Sequence, residues 1–179
     1  MLKLDFSAVP HLTTERLLLR SIDAQDLKAI HQLRSDEAVN IMVGRETPTA
    51  LSQSREFITK IGDLVENREC LYWVLAFKEE NSLIGTISCW NFDIENEIVE
   101  IGYEMLPEFR GKGLMKEALK KVIEYTFQRL NAKLITAFPS GVNANSVGLL
   151  KALNFQFSNN PYNNKHTNVA DIVSYILKK

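Results

Sequence analysis

The stretch from residue 98 to residue 138 constrains the fold more than any other. IVEIGYEML (98–106) reads as a strand, PEFRGKG as a turn, the following run as an amphipathic helix and LITAF (134–138) as a strand. Within that helix Leu114, Ala118, Leu119, Val122, Ile123 and Phe127 recur at helical spacing, so one face must lie against other apolar surface. A strand that passes through one helix into another strand crosses over the sheet and pairs in parallel. Upstream, YWVLAF (72–77), LIGTISCW (83–90) and IVEIGYEML are separated by the polar turns KEENS and DIENE, which predicts antiparallel hairpins. A mixed sheet in an α/β chain follows.

The flanks add to this plan. RLLLRSI (16–22) is too short for a helix and reads as a strand. Leu27, Ile30 and Leu33 then mark a helix after Asp23. Thr47-Pro48 has the form of a helix cap and first-turn proline, opening a second helix with Leu51, Ile58, Ile61 and Val65 on one face. A short helix (145–153), a strand near Phe155, the asparagine-rich loop SNNPYNNKHTN and a last strand VSYIL (173–177) close the chain. With no repeat or linker, residues 1–179 are expected to form one domain, and 179 residues with 45% apolar content can bury a core unaided by metal or disulfide.

Charge narrows the partners. Against 22 Asp and Glu stand 21 Lys and Arg, a net charge of -1, so no basic field is available to hold nucleic acid or an acidic membrane. An anion must be caught locally. Cys70, Cys89, His11, His31 and His166 have no zinc-site spacing, and two cysteines suit a reduced, cytoplasmic setting without a metal. Asp5 and Pro10 interrupt any leader-like apolar region, and no apolar run is long enough to span a membrane.

The turn at the mouth of the long helix carries two glycines beside Arg110 and Lys112. A helix start leaves unpaired amides and roughly half a positive charge, and glycine lets an anion approach them. The Walker pattern and the dinucleotide fingerprint are both absent. Arg110-Gly-Lys-Gly-Leu-Met115 resembles instead the Arg/Gln-x-x-Gly-x-Gly/Ala pattern with which Gcn5-related N-acetyltransferases (the GNAT superfamily) hold the pyrophosphate of acetyl-CoA. Further along, NANSVGLLKALNF places Asn143, Ser146, Leu153 and Phe155 in the register of the family's Asn-x-x-Ser/Ala and Leu-Gly-Phe elements, and LTTERLLLR resembles the opening of the RimJ/RimL branch, which acetylates ribosomal-protein N-termini.

The resemblance implies a splayed, mixed sheet of about six or seven strands flanked by helices, and direct acetyl transfer from acetyl-CoA to a primary amine. It implies a cofactor site at Met105, Leu106, Pro107, Arg110, Gly111, Lys112, Gly113, Leu114, Met115, Asn143 and Ser146, with Met105 to Pro107 contributing through the backbone. Glu100 and Glu104 share a strand face by period-two counting, and either carboxylate is a candidate base, Glu100 being preferred. The family's usual acid is a tyrosine at the position held here by Leu150, which leaves the Ser146 hydroxyl as the candidate. Cys89 has no histidine near it in sequence, and Trp73 and Trp90 read as core or pocket wall. The expected acceptor is a protein N-terminal amine, with a small amine (an amino acid, a polyamine or an aminoglycoside) or a non-catalytic acyl-CoA sensor as alternatives. Homodimerisation is a further expectation from the family.

Overall fold

The computed structural model describes residues 1–162, 164–166, 169 and 171–179. Three positions of the asparagine-rich loop, Asn163, Thr167 and Asn168, therefore lie outside the described residues.

Among the described residues five α-helices and eight strands follow one another along the chain. The strands are β1 (Leu12–Thr13), β2 (Leu17–Ser21), β3 (Cys70–Phe77), β4 (Leu83–Asp93), β5 (Ile98–Met105), β6 (Leu134–Ala137), β7 (Gln156–Ser158) and β8 (Ser174–Lys178). The helices are α1 (Leu27–Arg34), α2 (Glu37–Val43), α3 (Leu51–Glu66), α4 (Leu114–Gln128) and α5 (Ala144–Ala152). All the strands join one sheet in the order β1-β2-β3-β4-β5-β6-β8-β7. Every neighbouring pair is antiparallel except β5 and β6, which α4 connects and which run parallel as the crossover demands. The described sheet exceeds the six or seven strands expected. Its edge pieces β1 and β7 have two and three residues, too few to display an alternating pattern.

Helices cover both faces. Leu71, Trp73 and Leu75 of β3 point into the larger core with Leu114, Ala118, Leu119 and Val122 of α4 and Leu150 of α5. The alternate residues Tyr72 and Val74 face the other way, Val74 against Ile30 and Leu33 of α1 and Tyr72 against Ile61 of α3. A strand packed on both faces loses the alternation of polar residues, which is why β3 reads as a continuous apolar run.

Two helical details differ from the sequence reading. α3 begins at Leu51 rather than at Pro48, because Gln53 Oε1 accepts from the amides of Thr49 (2.7 Å) and Ala50 (3.1 Å) and so closes the first turn. Thr47 Oγ1 instead accepts from Asn40 Nδ2 at 2.9 Å. The second difference is α2, which sequence reading missed although its signals are present: Asp36 accepts from the Val39 amide at 3.2 Å, and Gly44 ends the helix at φ 63°.

The LTTERLLLR segment straps the sheet to α4. Glu117 of α4 receives the Thr14 hydroxyl, the Arg16 amide (2.9 Å) and Arg16 Nε (2.7 Å), while Arg16 Nη1 reaches the Lys112 carbonyl at 3.2 Å. At the other end of β2, buried Arg20 makes two 2.8 Å bonds to buried Asp26 at the entrance to α1.

Candidate active site

The site begins where the sheet comes apart. β5 pairs with β6 only from Ile98↔Leu134 to Glu100↔Thr136, yet β5 runs on to Met105. Past Glu100 its outer edge has no partner strand among the described residues. The Leu106 amide donates to Ile84 O of β4 at 3.0 Å, so by strand alternation Met105 turns its main-chain groups away from β4 and into the gap. Of the backbone groups expected to serve a ligand between Met105 and Pro107, several are already engaged. Leu106 N is bonded to β4, Leu106 O accepts from Phe109 N at 3.0 Å, and Pro107 O accepts from Arg110 N at 3.2 Å. Met105 O accepts from Arg110 Nε at 2.8 Å, which leaves the Met105 amide facing the opening.

The glycine loop follows directly. Gly111 and Gly113 both sit at φ 75°, a conformation costly to any other residue, and the first helical bond of α4 runs from the Glu117 amide to Gly113 O at 3.0 Å. Among the described residues no carbonyl or side chain accepts from the amides of Gly111 through Lys116. These unclaimed amides at the positive end of a long helix suit a pyrophosphate, and the gap suits an extended arm carrying a thioester.

The side chains of the loop are arranged otherwise than their motif suggests. Arg110 Nη2 bonds Asp36 Oδ2 at 2.8 Å, so the motif arginine fixes the loop to α2. Its own amide is held by Pro107 O and does not join the open group. Lys112 stands near the Phe109 ring, and Leu114 and Met115 are buried in the core. Their contribution to an anion is therefore their backbone. Met115 occupies the position where the pattern has glycine or alanine.

On the sheet face covered by α1 and α3 lie Glu100 and Glu104, as period-two counting requires. They differ sharply. Arg45 grips Glu104 with Nη1 at 2.6 Å and Nη2 at 2.9 Å. Glu100, 2% exposed and at the last paired position before the gap, binds His166 Nε2 with Oε1 (2.7 Å) and Asn91 Nδ2 with Oε2 (3.0 Å). Gly102 between them keeps the floor low, since a Cβ there would stand 3.0 Å from Ser88 Oγ. Burial, and after it the charge of Arg45, hold the Arg34 guanidinium below its ordinary value, and its plane lies 3.8 Å over the Phe57 ring.

The opposite face carries the hydroxyls. Tyr103 and Ser146 share a hydrogen bond of 2.8 Å, and burial pushes the Tyr103 phenol up to about 12 despite that bond. Asn143, expected to meet a ligand, accepts from the Ser146 amide at 3.0 Å with its side-chain oxygen and so caps α5. Leu150 is fully buried, and α5 carries no tyrosine. Sequence reading missed Tyr103, Arg45 and His166. For Tyr103 the signal existed, since alternation sets it on the face opposite Glu100; for the other two no local pattern marks them. The gap thus connects a carboxylate face to a hydroxyl face. Two shallow cavities around Tyr125 and Arg129 at the far end of α4 bring no such chemistry together.

An open parallel pair, a glycine-led helix start and carboxylates beside the opening are the working parts of an acyl-CoA-dependent acetyltransferase. Residues 16–156 match the family model described as an acetyltransferase (GNAT) domain, and the chain belongs to that family. The uncharacterized N-acetyltransferase p20 of Bacillus licheniformis is 36% identical over 145 residues, covering 81% of this chain and 82% of the relative. The spermidine N(1)-acetyltransferase of Vibrio cholerae is 25% identical over 141 residues, covering 78% and 79%. Among solved structures, RimL, a ribosomal-protein α-N-acetyltransferase in complex with coenzyme A, superposes with a TM-score of 0.79 at 19% identity, covering 95% of this chain and 97% of its own. That likeness is one of fold. The enzyme is an N-acetyltransferase whose family uses acetyl-CoA as co-substrate.

Proposed function

We propose that the protein transfers the acetyl group of acetyl-CoA to the α-amine of a protein N-terminus. The observation that carries the reading is the sheet opening beyond Glu100↔Thr136, flanked by the unclaimed amides of Gly111 to Lys116. Those amides and the Met105 N–H would hold the donor; acetyl-CoA supplies the activated acyl group, and every other part of the reaction falls to side chains of this chain. The amine enters from the α1–α3 face, where Glu100 supplies the negative charge that draws away its proton. Ser146, backed by the protonated Tyr103, stands on the far face to protonate the leaving sulfur. A modest base suffices for an α-amine, which titrates near about 7.7 and is roughly one-sixth neutral at pH 7; a lysine near about 10.4 would cost about 4.6 kcal/mol.

Arg34 favours a peptide. Among the described residues its guanidinium makes no ion pair, unlike that of Arg45, which Glu104 offsets, so a second cationic centre near it would meet like charge, whereas a peptide carbonyl would meet a donor. The likeness to the spermidine enzyme favours the second reading, a small polyamine acceptor. Thiol release from acetyl-CoA with short peptides beginning Ala, Ser or Met, run beside spermidine and free amino acids, separates the two. Peptide turnover at least about tenfold above spermidine in kcat/KM supports the reading, and the reverse order removes it. A single domain over residues 1–179 is part of the proposal, tested by one cooperative unfolding transition.

A further inference from the structure

Both oxygens of Glu100 are already used, Oε1 by His166 Nε2 and Oε2 by Asn91 Nδ2, and the carboxylate is almost wholly buried. An ammonium could bond Glu100 directly only by displacing one of those buried contacts, at the expense of a desolvated polar group. The accessible member of the pair is the imidazole: the His166 side chain keeps 27% of its surface where that of Glu100 keeps 3%. Its ring is set edge-on to Trp90, with centroids 5.7 Å apart, and tilted against Phe138 at 5.8 Å. Its own loop holds it as well, the His166 amide donating to Asn164 Oδ1 at 2.8 Å. Among the described residues Glu100 is the one charged group in contact with the ring. When Nε2 donates to Glu100, Nδ1 carries the lone pair.

We propose that His166 is the catalytic base, with Glu100 as its positioning residue. This rests on acetyl transfer at the gap and is independent of which amine is the acceptor. His166 Nδ1 takes one proton from the incoming ammonium. The nitrogen lone pair so released forms the N–C bond to the acyl carbon, the C–S bond breaks with its electron pair on sulfur, a second proton leaves that nitrogen to solvent to give the neutral amide, and the thiolate takes a proton from the Ser146 hydroxyl, which Tyr103 or solvent replenishes. Glu100 fixes the tautomer and offsets the imidazolium charge while it lasts.

Two measurements decide the matter. In steady-state assays with the acceptor that the native enzyme turns over best, His166→Ala is expected to lower kcat about 100-fold or more. The KM for acetyl-CoA stays within about twofold, the kcat/KM profile keeps only the acid limb set by the acceptor amine, and added imidazole restores part of the rate. Native-like kcat and pH profile in His166→Ala, together with a large loss in Glu100→Gln, would make Glu100 the base and overturn the proposal. The second measurement needs no acceptor: NMR of the ring nitrogens in the free protein is expected to show His166 protonated on Nε2, with that preference lost in Glu100→Gln. Protonation on Nδ1 instead contradicts it. A panel in which peptides fail but another amine is turned over therefore counts against the proposed acceptor and not against His166.

Discussion

Asp36 caps α2 with one carboxylate oxygen and holds Arg110 with the other: Oδ1 accepts from the Val39 amide at 3.2 Å and Oδ2 from Arg110 Nη2 at 2.8 Å. Because Arg110 Nε also bonds the Met105 carbonyl, one carboxylate links the start of an acceptor-side helix to the edge of the gap. Asp36→Ala should cost about 1 kcal/mol, chiefly through the lost cap, and loosen the glycine loop. Thermal unfolding and coenzyme A titration measure the two effects separately; unchanged coenzyme A affinity would show that the Arg110 link does not shape the loop.

The same contact has a pH signature. The hydrogen bond from Arg110 holds the Asp36 carboxyl below its ordinary 3.8, outweighing burial. A group whose value is depressed in the fold stabilises it above the unfolded value, and the contribution is lost as pH falls through the folded one. Native protein should therefore lose stability below about pH 4 more steeply than Asp36→Asn does. Arg110 is exposed enough that the difference is small and should shrink further in salt.

Gly113→Pro should abolish coenzyme A binding, because proline fixes φ near about −65° where the loop needs 75°. Gly113→Ala isolates strain from shape. A Cβ there would meet only Arg16 Nη2 at 3.7 Å, so the penalty is conformational, about 1–2 kcal/mol, or roughly tenfold in affinity if it falls on the loop. Calorimetric titration checks both, and native affinity in Gly113→Pro would remove the loop from the account.

How much of this was legible depends on distance along the chain. The glycine loop and its helix could be read because a tight turn, a helix start and an apolar stripe are all local features of residues 107–128. Glu100 and Glu104 could be placed on one face because strand alternation is a rule of two residues. What separates them could not be read: Arg45 reaches Glu104 from 59 residues away and His166 reaches Glu100 from 66. No periodicity encodes contacts that arise only when α2 and the loop after β7 have folded over the sheet. Arg110 shows the reverse case, a residue found by its motif whose guanidinium the fold spends on Asp36.

The cysteines supply a simple check on the core. Burial pushes the Cys70 and Cys89 thiols up to about 12 from 9.0, so neither is a nucleophile at neutral pH. An aromatic disulfide reagent at pH 8 should label neither thiol in the native protein and both after denaturation. Rapid labelling of the native enzyme would contradict the packing of β3 and β4.

Tyr103 should remain protonated throughout the working range. Its phenol, raised to about 12 from 10.0 by burial, can donate wherever the enzyme is active. A value raised in the fold favours folding below the unfolded value, so stability should decline as pH rises from about 10 to about 12. Tyr103→Phe should make that decline shallower, the raised Cys70 and Cys89 thiols contributing to what remains, and, by unpairing Ser146, lower kcat about tenfold or more with little change in KM. Alkaline melts and steady-state kinetics read the two outcomes.

The most direct measurement is an amide NMR titration of the protein with coenzyme A. The account predicts that the resonances of Gly111 through Lys116 and of Met105 move together and gain protection from exchange as the ligand saturates. If those amides stay unmoved while coenzyme A binds elsewhere, or does not bind at all, the helix start is no pyrophosphate site and the account is contradicted at its root.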